Sequence, residues 1–258
     1  LDQPNKKKIF FYKLLLVILT LLLAACANNK QPKQKINEKN ETAKETNPHK
    51  GVAWKLPIPI TTGEFYMTGG WLSDTEVLYI TNLEQTSSVY SYNLLTGKSK
   101  LIYKSEFPIV TVKISPSKKY ILIHSSPSSY EGLVTIIDQK GSEQVKQSFA
   151  SYELAFEWNP YNESQVLVTK FDEDWGFQLS LIDANSQKTA ELPLPQPFNK
   201  WVDEKRIAYL NWDENNPSLF APLEIRNVES GQEEIVLSEV IQFAAFRNLL
   251  VTVSVHKR

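Results

Sequence analysis

Short apolar runs recur along the chain. They fall at residues 76–81 (EVLYIT), 119–124 (KYILIH), 165–170 (QVLVTK), 206–211 (RIAYLN) and 249–255 (LLVTVSV). Each is rich in β-branched or aromatic residues and has the length of a strand, and no long stretch carries the 3.6-residue period of a helix. Each follows a lead that ends on a large apolar residue: Trp71, Ile114, Trp158, Trp201 and Phe246, spaced by 43, 44, 43 and 45 residues. Four of these leads run into turn-forming sequences such as Ile114-Ser-Pro-Ser and Trp158-Asn-Pro-Tyr.

A second marker keeps the same period. Asn93-Leu-Leu-Thr-Gly97, Asp138-Gln-Lys-Gly141, Asp183-Ala-Asn-Ser and Asn227-Val-Glu-Ser-Gly231 begin 45, 45 and 44 residues apart. Asn or Asp accepts local backbone hydrogen bonds, and Gly97, Gly141 and Gly231 supply the positive φ of a tight hairpin. A strand precedes each marker (VYSYN, LVTIID, LSLID, LEIRN) and another follows it (KSKLIY, EQVKQS, KTAEL, EEIVL), so each unit holds four strands.

Four antiparallel strands in each 43–45-residue unit predict an all-β fold, a β-propeller of four-stranded antiparallel blades. A β-sandwich or a partial solenoid is the competing architecture. A single blade cannot cover both of its faces, so packing against neighbours supplies the core. Large aromatics at the end of the first strand are expected between blades. The predicted blades are 65–104, 109–148, 152–191 and 196–238, with a partial fifth at 240–258. This is the pattern of a truncated propeller, with about four and a half blades present. Residues 51–61 are expected to add an outer strand to the last blade and so close the ring.

The amino end has a different pattern. Lys6, Lys7, Lys8 and Lys13 precede an apolar run, LLLVILTLLL, at residues 14–23. A positive segment before a short apolar one is the plan of an export signal, and the run is too short for a comfortable membrane span. Leu23-Ala24-Ala25-Cys26 follows directly and resembles a bacterial lipobox. There the cysteine thiol takes a diacylglyceryl group and becomes the first mature residue, with acyl chains such as palmitate holding it to the bilayer. Residues 1–25 therefore read as a lipoprotein signal peptide, and residues 26–50 as the lipidated Cys26 followed by a disordered polar tether. The tether lacks the apolar content needed to offset its ordering entropy. Residues 51–258 form the propeller domain. The implied location is the extracytoplasmic face of a bacterial cell membrane.

Composition narrows the chemistry. Cys26 is the only cysteine among 258 residues, which excludes an internal disulfide framework and a Cys-rich metal site. Residues 51–258 carry 18 basic and 25 acidic side chains, an acidic balance that argues against a nucleic-acid backbone as partner.

The lipobox, the polar tether and the repeated units around Trp71, Trp158 and Trp201 together resemble the Bacillus-type YqgU-like lipoproteins. The resemblance runs from residue 14 to residue 258. It implies a six-bladed propeller and a lipid-anchored location, and it implies little chemistry. This chain supplies about four and a half blades of that plan.

In a propeller, the loops between second and third strands share one face with the blade-to-blade loops. Those loops are predicted at 82–88, 125–131, 171–176 and 212–222, with 105–108, 149–151 and 192–199 between blades. They carry Glu84, Phe107, Tyr130, Glu131, Asp172, Glu173, Asp174, Trp175, Trp212 and Asp213, the candidate binding face. Asp172-Glu173-Asp174 offers oxygen ligands of the kind a structural cation uses but lacks the EF-hand spacing, and no cofactor is expected. The three histidines are His49 in the tether, His256 near the end and His124 at the end of a strand, with no zinc spacing among them. No Gly-x-Ser-x-Gly elbow is present and no catalytic residue is identified. The expected function is a membrane-anchored, non-enzymatic binding or scaffolding module for a protein, peptide or envelope glycan. The alternative is a hydrolase or lyase that acts on an extracellular polymer through paired carboxylates of the loop face.

Overall fold

The computed structural model describes residues 53–213 and 215–254. Cys26 and its lipobox, the tether, His49 and His256 lie outside the described residues. The first sheet contains β1 (Glu64–Trp71), β2 (Glu76–Leu83), β3 (Thr86–Asn93) and β4 (Lys98–Ser105). The second contains β5 (Ile109–Ile114), β6 (Tyr120–Ser128), β7 (Glu131–Asp138) and β8 (Glu143–Ala150). In the third are β9 (Glu153–Trp158), β10 (Gln165–Phe171), β11 (Phe177–Asp183) and β12 (Lys188–Glu191). The fourth is made of β13 (Lys200–Trp201), β14 (Arg206–Leu210), β15 (Ala221–Asn227) and β16 (Glu233–Val240). A two-stranded sheet follows, β17 (Gln242–Phe246) with β18 (Leu249–Val253). Strands pair in sequence order within every sheet, and all pairs are antiparallel. These are four full blades and part of a fifth, as the repeat predicts.

The continuous apolar runs have a direct cause. Successive residues of a strand face opposite sides of its sheet, so a strand buried on both faces must be apolar throughout. On β6, Ile121 and Ile123 join Leu78, Ile80 and Val89 of the first blade. Their neighbours Tyr120 and Leu122 join Phe156, Val166 and Val168 of the third. On β10, Val166 and Val168 face the second blade, whereas Leu167 packs with Trp201, Ile207 and Tyr209 of the fourth. Ala208, Leu223 and Val240 of the fourth blade meet Phe243 and Leu250 of the partial fifth.

The turns repeat one plan. Asn93 Oδ1 accepts from the amides of Leu95 and Thr96. Asp138 Oδ1 accepts from Lys140 and Ser142, Asp183 Oδ1 from Asn185 and Ser186, and Asn227 Oδ1 from Glu229 and Ser230. Gly97, Gly141 and Gly231 hold φ values of 72°, 91° and 72°. The third turn has no glycine, and Gln187 takes the left-handed conformation instead, at φ 57°.

Two expectations need correction. Residues 53–63 form no strand and do not join the last blade. They lie on the outer face of the first: Lys55 N donates to Leu94 O at 2.7 Å, Tyr92 Oη donates to Lys55 O at 2.5 Å, and Ile58 packs with Tyr79 and Tyr92. The apolar segment finds its cover on the nearest open sheet face. Nor do all the lead residues sit between blades. Trp158 and Trp201 are 9% and 2% exposed, but Trp71 and Phe246 are 48% and 60% exposed. Ile114, Trp158 and Trp201 pack on the blade before them, and among the described residues no blade stands before the first, whereas Phe246 is exposed although it follows the fourth.

Candidate functional site

The loop face is assembled by hydrogen bonds between successive blades. Ile109 N donates to Ser87 Oγ at 2.9 Å, Ser126 N to Pro108 O at 2.9 Å, and Ser151 N to Tyr130 O at 3.1 Å. Further along, Tyr152 N donates to Phe171 O at 2.8 Å, Thr169 Oγ1 to Pro197 O at 3.0 Å, and Gln196 Nε2 to Trp212 O at 3.1 Å. The connections between blades are thus tied to the hairpins beside them, and the face is rigid for most of its length.

The hairpins on this face are mostly tighter than expected. Residues 82–83 and 86–88 belong to β2 and β3, leaving Glu84 and Gln85 as the whole turn, with Glu84 at φ 54°. The strands run on because Asn82 and Ser87 bond across the pair at 2.7 Å. Only the β14–β15 connection, residues 211–220, is long.

Three clefts open among these loops. One, of about 310 Å3, lies between the second and third blades and is lined by Thr111, His124, Ser126, Ser128, Glu131, Gly132, Ser151, Tyr152 and Glu153, among others. A second, of about 390 Å3, sits on the third blade beside Lys170, Asp172 and Gln178. The third and widest, of about 780 Å3, is on the fourth blade, where Gln196, Asn211, Trp212, Asp213, Asn216 and Phe220 meet. An apolar slot of about 130 Å3 between the third and fourth blades holds Phe156, Leu167 and Phe198, with the Lys200–Glu157 ion pair (2.6 Å) closing one side.

The ten candidate residues are therefore distributed over several recesses. Glu131 belongs to the first cleft, Asp172 to the second, and Trp212 and Asp213 to the third. Glu84, Phe107, Tyr130, Glu173, Asp174 and Trp175 line none of these recesses. Phe107 is held at the blade junction, where its carbonyl accepts from Ser105 Oγ at 2.7 Å. Tyr130 and Trp175 project from the face, each 63% exposed.

Asp172 has a local job. Its Oδ1 accepts from Asp174 N at 3.0 Å and from Gly176 N at 2.7 Å, and Trp175 beside it adopts φ 65°. Such bonds shape a tight turn. Among the described residues no three His, Cys, Asp or Glu side chains converge to hold a metal ion.

His124 is the residue whose placement differs most from its sequence reading. It lies within β6, paired with Thr111 on β5 and Val134 on β7, and is 8% exposed. Its ring stands edge-on to Phe156 of the third blade at 5.5 Å. Burial lowers its pKa to about 4, so the imidazole is neutral at ordinary pH. A Cβ at Gly132 would lie 3.0 Å from His124 Nε2 and 2.5 Å from Leu154 Cδ1, so only glycine leaves room for both. Glu153, Ser126, Ser128 and Ser151 were also outside the predicted set.

Comparison with known proteins places this architecture. The chain is 26% identical over 196 residues to the uncharacterized lipoprotein YqgU of Bacillus subtilis, a match covering 76% of this chain and 55% of that protein. The chain thus spans about half the length of the curated relative it matches. Among solved structures, the uncharacterized protein lmo1340 of Listeria monocytogenes superposes with a TM-score of 0.66 at 23% identity, covering 77% of this chain and 61% of that one. The β-propeller domain of the Trilobed protease of Pyrococcus furiosus gives 0.50 at 16% identity, over 71% and 60% of the two chains. Residues 93–258, more than half of the chain, match the model of the YqgU-like 6-bladed beta propeller domain, and the chain belongs to that family.

Proposed function

We propose that the chain is a bacterial lipoprotein, anchored through acylated Cys26 to the extracytoplasmic face of the membrane, whose propeller binds an envelope component on its loop face. One observation carries this reading. Hydroxyl, amide and carboxylate groups line a row of clefts on that face, with exposed Tyr130, Tyr152 and Trp175 between them. Aromatic rings among polar groups on a rigid scaffold suit recognition. The kinship with a lipoprotein supports the anchor.

The test uses purified Gram-positive cell wall as the probe. The full chain is expected to cosediment with it, and the double variant Tyr152→Ala/Trp212→Ala, which alters two of the clefts, to lose most of that retention. Equal retention of the variant overturns the assignment to this face. Labelled fatty acid should enter the wild type and not Cys26→Ser, and label persisting in the variant overturns the anchor.

A second reading has one specific observation in its favour: Glu131, Glu153 and neutral His124 share a single cleft. Carboxylates flanking a bond are the equipment of a glycosidase. A screen of glycan and peptide hydrolysis, negative throughout, removes it.

A further inference from the structure

The cleft between the second and third blades is the most completely built recess of the loop face. Most of its residues, His124, Glu131, Gly132 and Glu153 among them, come from strands, which position groups more firmly than loops do. Its volume, about 310 Å3, falls at the lower end of the range for small-molecule sites, about 300–1,000 Å3. Within it His124 is more than nine-tenths buried, with its Nε2 set beside Gly132. A neutral imidazole holds one donor and one acceptor.

The surrounding groups define the ligand that would fit. Ser126 Oγ donates to Ser128 O at 2.7 Å and Ser151 Oγ to Phe149 O at 3.3 Å. Their protons are committed, and their lone pairs remain as acceptors. The carboxylate of Glu131, fixed by Ser148 Oγ at 2.5 Å, and that of Glu153 add more acceptors. No Lys or Arg lines the cleft, so an anionic ligand would meet like charge uncompensated. The ligand must therefore present several separated donors without negative charge. An ammonium concentrates its three donors at one point. A chain of hydroxyls distributes donors across the recess and can also meet the imidazole in both of its roles. Tyr152, 56% exposed at the rim, offers a flat ring for the C–H face of a sugar.

We propose that this cleft, built on His124, Glu131, Gly132, Ser151 and Glu153 with Tyr152 at its rim, binds an uncharged, hydroxyl-rich oligosaccharide unit. The inference rests on the loop face being the binding face, and it names the ligand class and the place.

Calorimetric titration of the full chain in detergent tests it, with cellotetraose, maltotetraose, chitotetraose and tetralysine as probes. At least one saccharide should saturate with a Kd below about 1 mM. Glu131→Gln and Tyr152→Ala, both at the accessible side of the cleft, should each weaken it about tenfold, the size expected for a lost contact to a charged or stacking group. Lys140→Ala, in the exposed β7–β8 turn away from the clefts, should leave the affinity unchanged. Glycine cannot be exchanged at 132 without displacing His124 or Leu154, so Gly132→Ala should weaken binding while retaining the wild-type circular dichroism of the blades. Binding of none of the three saccharides overturns the proposal, as does binding of tetralysine in their place. Saccharide binding that Trp212→Ala abolishes and Glu131→Gln spares also overturns it, and leaves the loop-face reading standing. Cell-wall retention that survives the Tyr152→Ala/Trp212→Ala change would instead remove the broader reading first.

Discussion

Trp201 and Trp71 hold the same place in the repeat, and their surroundings differ almost completely. Trp201 is buried against Leu167, Leu179 and Leu194 of the preceding blade. Trp71 meets one aromatic ring, Trp54, at 6.2 Å. The same contrast runs through whole strands. β8, which leads into the third blade, buries Val145 and Phe149, whereas β16 leaves Ile235, Val236 and Leu237 exposed. Repeat position selects the residue type, and the neighbouring blade decides whether that residue contributes to stability.

Substitutions can break this comparison. The largest effect is expected at Trp201→Ala, which should cost about 3–5 kcal/mol by deleting a fully packed ring. Urea unfolding measures it, and a loss below that of an ordinary surface substitution would refute the contrast. Gly141→Ala should follow closely. Its φ of 91° is strained for any other residue, and the new Cβ would sit 2.1 Å from Ile102 O of the first blade. At Gly231 the conformation is similar, but the nearest atom is Arg226 Nη2 at 3.9 Å. Gly231→Ala should therefore cost only the backbone strain, about 1–2 kcal/mol. The difference between the two glycines isolates the contact between blades from the turn itself. Smallest of all is Trp71→Ala, expected within about 0.5 kcal/mol of the wild type, as for surface sites.

A pH series sharpens the contrast from another side. His124 is covered by the third blade, and its pKa of about 4 lies below the 6.5 of an unfolded chain. The unfolded state therefore binds the extra proton first as pH falls. Stability from this group is complete above pH 6.5 and declines through the window down to pH 4. His124→Gln should flatten that part of the profile, which thermal unfolding at stepped pH would show. Retention of the full slope would place the titration elsewhere.

The sequence made the blades legible because their turns are encoded locally. Asn93, Asp138, Asp183 and Asn227 each bond amides two to four residues ahead, so short spacing is enough to find them. The course of residues 53–63 was not legible, since it depends on Tyr92 Oη and Leu94 O across a blade. The cleft was only partly so. Glu131 stood out as a loop carboxylate, but Glu153, Ser151 and His124 reach it from other strands. No local pattern marks a histidine whose surroundings come from the next repeat. Asp172 misled in the opposite sense: its carboxylate answers the amides of its own turn.

The side-by-side packing of the sheets has a kinetic consequence. Every sheet closes on residues of one repeat, and the apolar clusters join adjacent repeats or cover an end. Contact order is therefore low for an all-β chain, because among the described strands each pairs with its neighbour in sequence. Ordering can begin in whichever blade forms first and spread outward one interface at a time, as in other linear repeat arrays. The second, third and fourth blades, each with apolar neighbours on both sides, are the natural places for that nucleus.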